Sequence, residues 1–300
     1  MRRILACIAL SLATGCAGVA PELPPELPPE LPGAILSADG AELTEAELVA
    51  ALEQAQIVVL GEVHDNPVHH ARQARLVRQL RPRGLAFEMV PGASEEGIQV
   101  FLAQGGARRE IGPAIGWDRM GWPDWALYAP IFEAAPGAYI AGGGAARSEI
   151  RAAIEGGAAT AYGAGARAVG LDRPLDPAIR VEIEDEMIAA HCDKLPRQAA
   201  GGMVEAQRLR DARFANAAWR ALAQGGGGRA VLITGNGHAR TDRGAPAYLR
   251  LVAPQVAVLS VGMIELEPGA DPAAAARGLP FDYVWFSRPT ERPDPCAGFG

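Results

Sequence analysis

The chain has 300 residues, 49% of them hydrophobic and 21% charged, enough to bury one large core and too apolar to be disordered as a whole. A net charge of −7 argues against a nucleic-acid binder, which would carry a basic surplus. No apolar run reaches the roughly 20 residues of a spanning helix, which excludes a multi-pass membrane protein, and four cysteines are too few for a disulfide scaffold.

The first segment reads as an address. Arg2 and Arg3 precede a short apolar run at residues 4–12, followed by Ala13, Thr14, Gly15 and Cys16. A positive start, a short apolar stretch and small residues before a cysteine read as a secretory signal over residues 1–15. Cleavage before Cys16 would leave a lipidated N-terminal cysteine. The pattern resembles the bacterial lipobox, with Ala13 where leucine is commoner; ordinary cleavage nearby is the other reading. Residues 16–34 form a linker containing PELPPELPPELP at 21–32. Proline at this density favours polyproline II, and twelve such residues span on the order of 35 Å. This suits a stiff spacer between a lipid anchor and a domain, with a proline-rich ligand for a partner's groove as the second reading.

From residue 35 onward, predicted strands and helices alternate. Residues 46–55 have a helical pattern, with Thr44 as N-cap. Residues 57–60 form a β-branched run ending at Gly61, the mark of a buried parallel strand. Pro67 opens a helix reaching about Leu80. Leu85, Ala86 and Phe87 make a short strand ending at Glu88, and Ser94 begins another helix. Helices are predicted at 124–134, 147–155, 177–191, 203–223 and 245–251, and strands at 138–141, 230–233 and 256–261. A last strand is placed at 281–286, and a four-glycine loop at 225–228. Strands separated by helices imply parallel βαβ units. The expected fold is one α/β domain over 35–300, a mainly parallel sheet flanked by helices.

Ligands of open α/β sheets bind beyond the carboxyl ends of the strands. Three predicted strands carry chemistry there. The first runs into Glu62, His64, Asp65 and Asn66, then His69 and His70; the second ends at Glu88; the fourth runs into Gly235 and His238. Four of the five histidines fall in these segments. Glu62, His64, Glu88 and His238 make a two-histidine, two-carboxylate set that suits a divalent metal or general acid–base work. The plainer reading is a buried polar network fixing the loops. Pro67 at a helix start would also point backbone N–H groups, and hence an anion site, at this edge.

A second constellation is aromatic. Trp117, Trp122, Trp125 and Tyr128 cluster ahead of Phe132, which suits core packing or an apolar wall for a flat ligand with Tyr128 supplying an oxygen. A third is His191 and Cys192 at a helix end, followed by Lys194. The cations suit the helix dipole or ligand carboxylates. Cys192 and Cys296 can pair in an oxidising compartment. Gln207, Arg208, Arg210, Asp211 and Arg213 read as a solvated helix face, from which Arg210 and Asp211 can reach the sheet edge.

Six stretches taken together are more specific than any single motif: VVLGEVHDNPVHH at 58–70, LAFEM at 85–89, GWDRMGWPDWALYAPIFEAA at 116–135, HCDKLP at 191–196, MVEAQRLRDARFANA at 203–217 and ITGNGHARTDRGAPAYL at 233–249. In these the chain resembles the ChaN-like haem-binding lipoproteins, of the wider superfamily with Tiki, TraB and erythromycin-esterase-type proteins. The resemblance implies an α/β fold and haem bound in iron acquisition, with a tyrosine as axial ligand and propionates held by polar side chains. It further implies haems stacked face to face in a homodimer. Tyr128 is the first candidate for the ligand and Tyr248 the second, with His191 and Lys194 for the propionates. Without a CxxCH motif, covalent haem attachment has no support. The superfamily's hydrolases imply the alternative, a metal-assisted or acid–base hydrolase using Glu62, His64, Glu88 and His238. Ala17, rather than aspartate, follows Cys16, which by family custom favours the outer membrane and a haem-uptake receptor or transporter as partner.

Overall fold

The computed structural model describes residues 33–294 together with Cys296 and Ala297. The predicted signal segment, Cys16 and the PELP repeat lie outside the described residues. The first elements are two short strands, β1 (Ile35–Ser37) and β2 (Glu42–Leu43), then helix α1 (Glu45–Leu52), strand β3 (Ile57–Glu62), helix α2 (Pro67–Leu80) and strand β4 (Gly84–Pro91). Helices α3 (Glu95–Ala103), α4 (Ile111–Ile115) and α5 (Trp125–Glu133) lead to strand β5 (Tyr139–Gly144). Four helices follow: α6 (Arg147–Gly156), α7 (Ala158–Tyr162), α8 (Pro177–Ala190) and α9 (Arg197–Gln224). Strand β6 (Ala230–Gly235), helices α10 (Asn236–Ala239) and α11 (Ala245–Val252), strand β7 (Val258–Glu265), helix α12 (Pro272–Ala276) and strand β8 (Tyr283–Ser287) complete the chain.

The strands form one sheet in the order β2-β1-β8-β7-β3-β6-β4-β5. Strands β3 to β8 run parallel, and β1 joins β8 antiparallel. The expected mainly parallel α/β sheet is therefore present. The β1–β2 hairpin is an addition that its two- and three-residue strands could not signal. Alternation along the strands divides two cores. Ile57 and Val59 of β3 face the layer of α9, whereas Val58 and Leu60 face that of α1, α2 and α5. Alanines 206, 212, 215, 217, 218 and 221 line the buried side of α9. Their small side chains let a 28-residue helix lie close against β4 and β5. Among the described residues, no helix is long and apolar enough to cross a membrane.

Central β3 lies between β6 and β7, so the chain leaves the sheet in opposite directions on its two sides. Loops after β3, β4 and β6 consequently meet at one edge.

Candidate functional site

Glu62 is the last residue of β3 and is buried. Its Oε1 accepts from His64 Nδ1 at 2.8 Å and from the Tyr128 hydroxyl at 2.7 Å. With Nδ1 so committed, His64 directs Nε2 away from the carboxylate, and its side chain keeps 34% of its surface exposed. Gly235 makes room for it: a Cβ there would stand 3.0 Å from His64 Nε2 and 3.6 Å from Glu88 Oε2. Burial works against charge on His64, but the Glu62 hydrogen bond and the charges of Glu88, Glu62 and Asp65 outweigh it and raise its pKa.

Strand β4 does not stop at Glu88 but runs on to Pro91, with a register shift after Phe87. Glu88 Oε2 accepts from Thr234 Oγ1 at 2.7 Å and from the Gly235 amide at 2.8 Å. Its Oε1 lies 3.7 Å from His238 Nε2. Burial pushes the Glu88 carboxyl up, yet the neighbouring His238 and His64 and these two donors hold it below the usual range. His238 donates from Nδ1 to Asp211 Oδ1 at 2.7 Å, and Asp211 comes from the middle of α9. Burial disfavours the imidazolium, but Asp211 and Glu88 on either side raise the His238 pKa. Two histidines, each backed by a carboxylate, thus lie close to Glu88.

The four predicted residues do come together, but as hydrogen-bonded pairs. Among the described residues, no group of three or more histidine, cysteine or acidic side chains has a metal-holding arrangement. Glu62 Oε1 and Glu88 Oε2 each accept from two donors, whereas Glu62 Oε2 is buried without a hydrogen-bond partner. In the structure the four residues belong to one polar network. Pro67 does begin α2, but Asn66 Oδ1 accepts from the amides of Val68 and His69, so the expected anion site there is filled by the chain itself. His69 accepts the Val63 amide and meets Ser287 Oγ; burial and Arg72 push its pKa down to about 3, leaving it a neutral brace.

The aromatic segment is core. Trp117 packs on Trp125 and Tyr128, and Phe132 stacks on Phe87 with ring centres 4.0 Å apart. Tyr128 is 0% exposed, and burial together with the Glu62 carboxylate raises its phenol far above the ordinary value. Tyr248 is 7% exposed, and burial pushes it up to about 12. Both candidate ligands, Tyr128 and Tyr248, are thus buried side chains, and burial raises each phenol.

His191 caps α8, donating from Nδ1 to the Met187 carbonyl at 2.7 Å, and among the described residues Nε2 has no hydrogen-bond partner. Lys194 is exposed in the same turn. Cys192 and Asp193 both adopt left-handed backbone, and a Cys192–Cys296 disulfide ties the turn to the C-terminal segment.

The model of a family described as haem-binding uptake, Tiki superfamily, ChaN, matches residues 48–249. The chain belongs to the ChaN family. A comparison with curated proteins found no match. Of solved structures, one of ChaN from Campylobacter jejuni, described as showing cofacial heme binding, is similar at 18% identity with a TM-score of 0.66, covering 86% of this chain and 97% of that one. At that identity the likeness is one of fold, and it agrees with the sheet described above. The type III effector HopBA1 matches at 15% identity over 81% of this chain and 92% of its own, with a TM-score of 0.41, too low to carry an argument.

One residue of chemical interest in this ChaN-family chain escaped the sequence reading. Tyr162 ends α7, is half-buried, and has the Arg213 guanidinium 4.2 Å over its ring. Burial raises its pKa and Arg213 opposes the rise. Its sequence signal is faint, a lone tyrosine in the small-residue run GGAATAYGAGA at 156–166, but such a run offers no partner to bury it.

Proposed function

We propose that this chain binds haem as a lipid-anchored protein of the bacterial cell envelope, with Tyr162 as the axial oxygen donor. The observation that carries the ligand assignment is the pairing of Tyr162 with Arg213. A phenolate suits ferric iron, and a guanidinium beside the phenol favours the phenolate. His191 Nε2 and the Lys194 ammonium supply donors for propionates. The Nδ1–H to Met187 carbonyl bond fixes the imidazole for that task. Exposed Ile154, Val181 and Leu251, on helices that pack against α9, offer apolar contact to a flat macrocycle. Haem, once bound, would supply a ferric centre with one open coordination position filled by the phenolate. A homodimer would let each copy complete the other's site. Cys16 would carry the anchor on the outer membrane, the PELP repeat would act as the spacer, and a haem-uptake receptor or transporter would be the partner.

Ferric-haem titration of the chain beginning after Cys16 tests this. Wild type, Tyr128→Phe and Tyr248→Phe should give a saturable Soret band with a phenolate charge-transfer feature. Tyr162→Phe should lose that feature and bind about tenfold or more weakly, a difference of about 1.4 kcal/mol. No saturable band with wild type sinks the haem reading. A feature that survives Tyr162→Phe and vanishes in another variant moves the ligand.

The two histidine–carboxylate pairs around Glu88 support a second reading, acid–base hydrolysis at the sheet edge. His64, partly exposed and held by Glu62, would act on the substrate, and His238, held by Asp211, would exchange the second proton. This reading predicts ester hydrolysis abolished by His64→Gln or Glu88→Gln with haem binding intact.

A further inference from the structure

At the opposite edge of the sheet, where the strands begin, a cavity of about 470 Å³ opens at the foot of β4 and β5. Arg83, Arg108, Gln99, Gln224 and Gly225 line it, and no carboxylate does. That is unusual in a chain of net charge −7. Elsewhere its arginines are widely matched to acids, as in Arg75–Glu45, Arg213–Glu149 and Arg243–Glu186. Among the described residues Arg83 makes no ion pair. Arg108 donates only to the carbonyls of Pro136 and Ala138, and its Nη1 is buried with no partner. On the adjoining wall, the Glu95 carboxylate is already held by Tyr139, Arg220 and the Gly142 amide.

The four-glycine loop reaches the cavity through Gly225 and runs on beside Arg83. Gly226, Gly227 and Gly228 have φ of 78, 79 and 83°, a left-handed run that side chains would strain. A Cβ on Gly226 would stand 3.7 Å from Arg83 Nη2, and one on Gly228 3.4 Å from Arg83 Cδ. The Arg83 side chain therefore lies along a bare backbone, with nothing from the loop competing for its fork.

We propose that this cavity binds a phosphate group between the guanidiniums of Arg83 and Arg108. A guanidinium fork matches phosphate oxygens two at a time. The space exceeds what inorganic phosphate fills and suits a small phosphate ester or a lipid headgroup. The site lies at the sheet edge opposite Glu62, His64, Glu88 and His238, so it is independent of both functions proposed above.

Calorimetric titration of the full chain with inorganic phosphate and glycerol phosphate is the test, with co-sedimentation on phosphatidylglycerol vesicles as a parallel arm. Saturable binding to a soluble phosphate is expected, weakened about tenfold or more by Arg83→Gln. Vesicle binding that Arg83→Gln abolishes, without soluble binding, would make the phosphate a lipid headgroup. No saturable binding in either arm, or binding that Arg83→Gln leaves unchanged, overturns the proposal. Arg83→Gln carries the test because Arg108→Gln also strips two backbone carbonyls of their donor. The haem titration should be identical in wild type and Arg83→Gln.

Discussion

His238 shows how the sheet edge stores a proton. Its ring is buried between Asp211 and Glu88, and both carboxylates favour the imidazolium. Burial also raises Asp211, against the pull of His238, so the pair as a whole holds a proton more tightly than its parts would in water. The linkage has a definite sign. The folded pKa of His238 stands above the unfolded value of 6.5, so its contribution is fully present below 6.5 and is lost as pH rises through the folded value. Urea unfolding of wild type should therefore lose stability on the alkaline side of that value. His238→Gln should flatten part of this loss, leaving the share of His64, whose pKa is raised in the same direction. An unchanged profile in His238→Gln would mean that the ring is neutral throughout. Glu62, His64, Glu88 and His238 were legible in sequence because each lies near the carboxyl end of a strand of the parallel sheet. Asp211 was less so: its place on α9, among charges that look solvated, hides the fact that this helix turns it inward. Tyr128 was ambiguous for a related reason. Its aromatic neighbours suit a ligand wall and a core equally, and only the packing of Trp117 and Phe87 decides for the core.

At the scale of elements, burial on both faces made β3, β4 and β6 readable, since such strands need apolar residues without interruption. The β1–β2 hairpin has neither length nor pattern; it exists because β8 presents an edge. Helix α9 began earlier than its periodicity suggested, at Arg197, because an alanine- and glycine-rich stretch carries little apolar signal. That same smallness is structural. Gly84 meets the backbone of Ala221 where helix and strand touch, and Ala218 is wholly buried. Ala218→Leu inserts volume where neither backbone has room, so a loss of about 1–3 kcal/mol is expected in urea unfolding. A neutral result would show that α9 can shift away from the sheet. The far edge of the sheet is closed by side chains instead: Glu95 takes the Gly142 amide, Arg220 its carbonyl, and Gln99 the carbonyl of Ile140. The edge strand β5 is thereby denied to a second chain's strand.

Across the whole molecule, the Cys192–Cys296 disulfide is the longest-range restraint on the turn that carries His191 and Lys194. It joins residues 104 apart in sequence, and on the chain-entropy account a loop near this length is worth about 4–5 kcal/mol. The bridge also holds together two things that the fold alone leaves loosely coupled. One is a turn with consecutive left-handed residues, Cys192 and Asp193. The other is the C-terminal segment, whose Arg292 clamps Asp65 and Glu265 beside the sheet edge. Reduction should therefore lower the melting temperature by on the order of 10 °C for a domain of this size. If the turn presents His191 and Lys194 to propionates, reduction should also weaken haem binding while leaving the Tyr162 charge-transfer feature in place. The paired variant Cys192→Ser with Cys296→Ser should reproduce both effects and no longer respond to reductant. Equal melting temperatures with and without reductant would place the restraint elsewhere, in the Arg292 clamp. Weaker haem binding by a chain that stays folded would instead tie the bridge to the site rather than to stability.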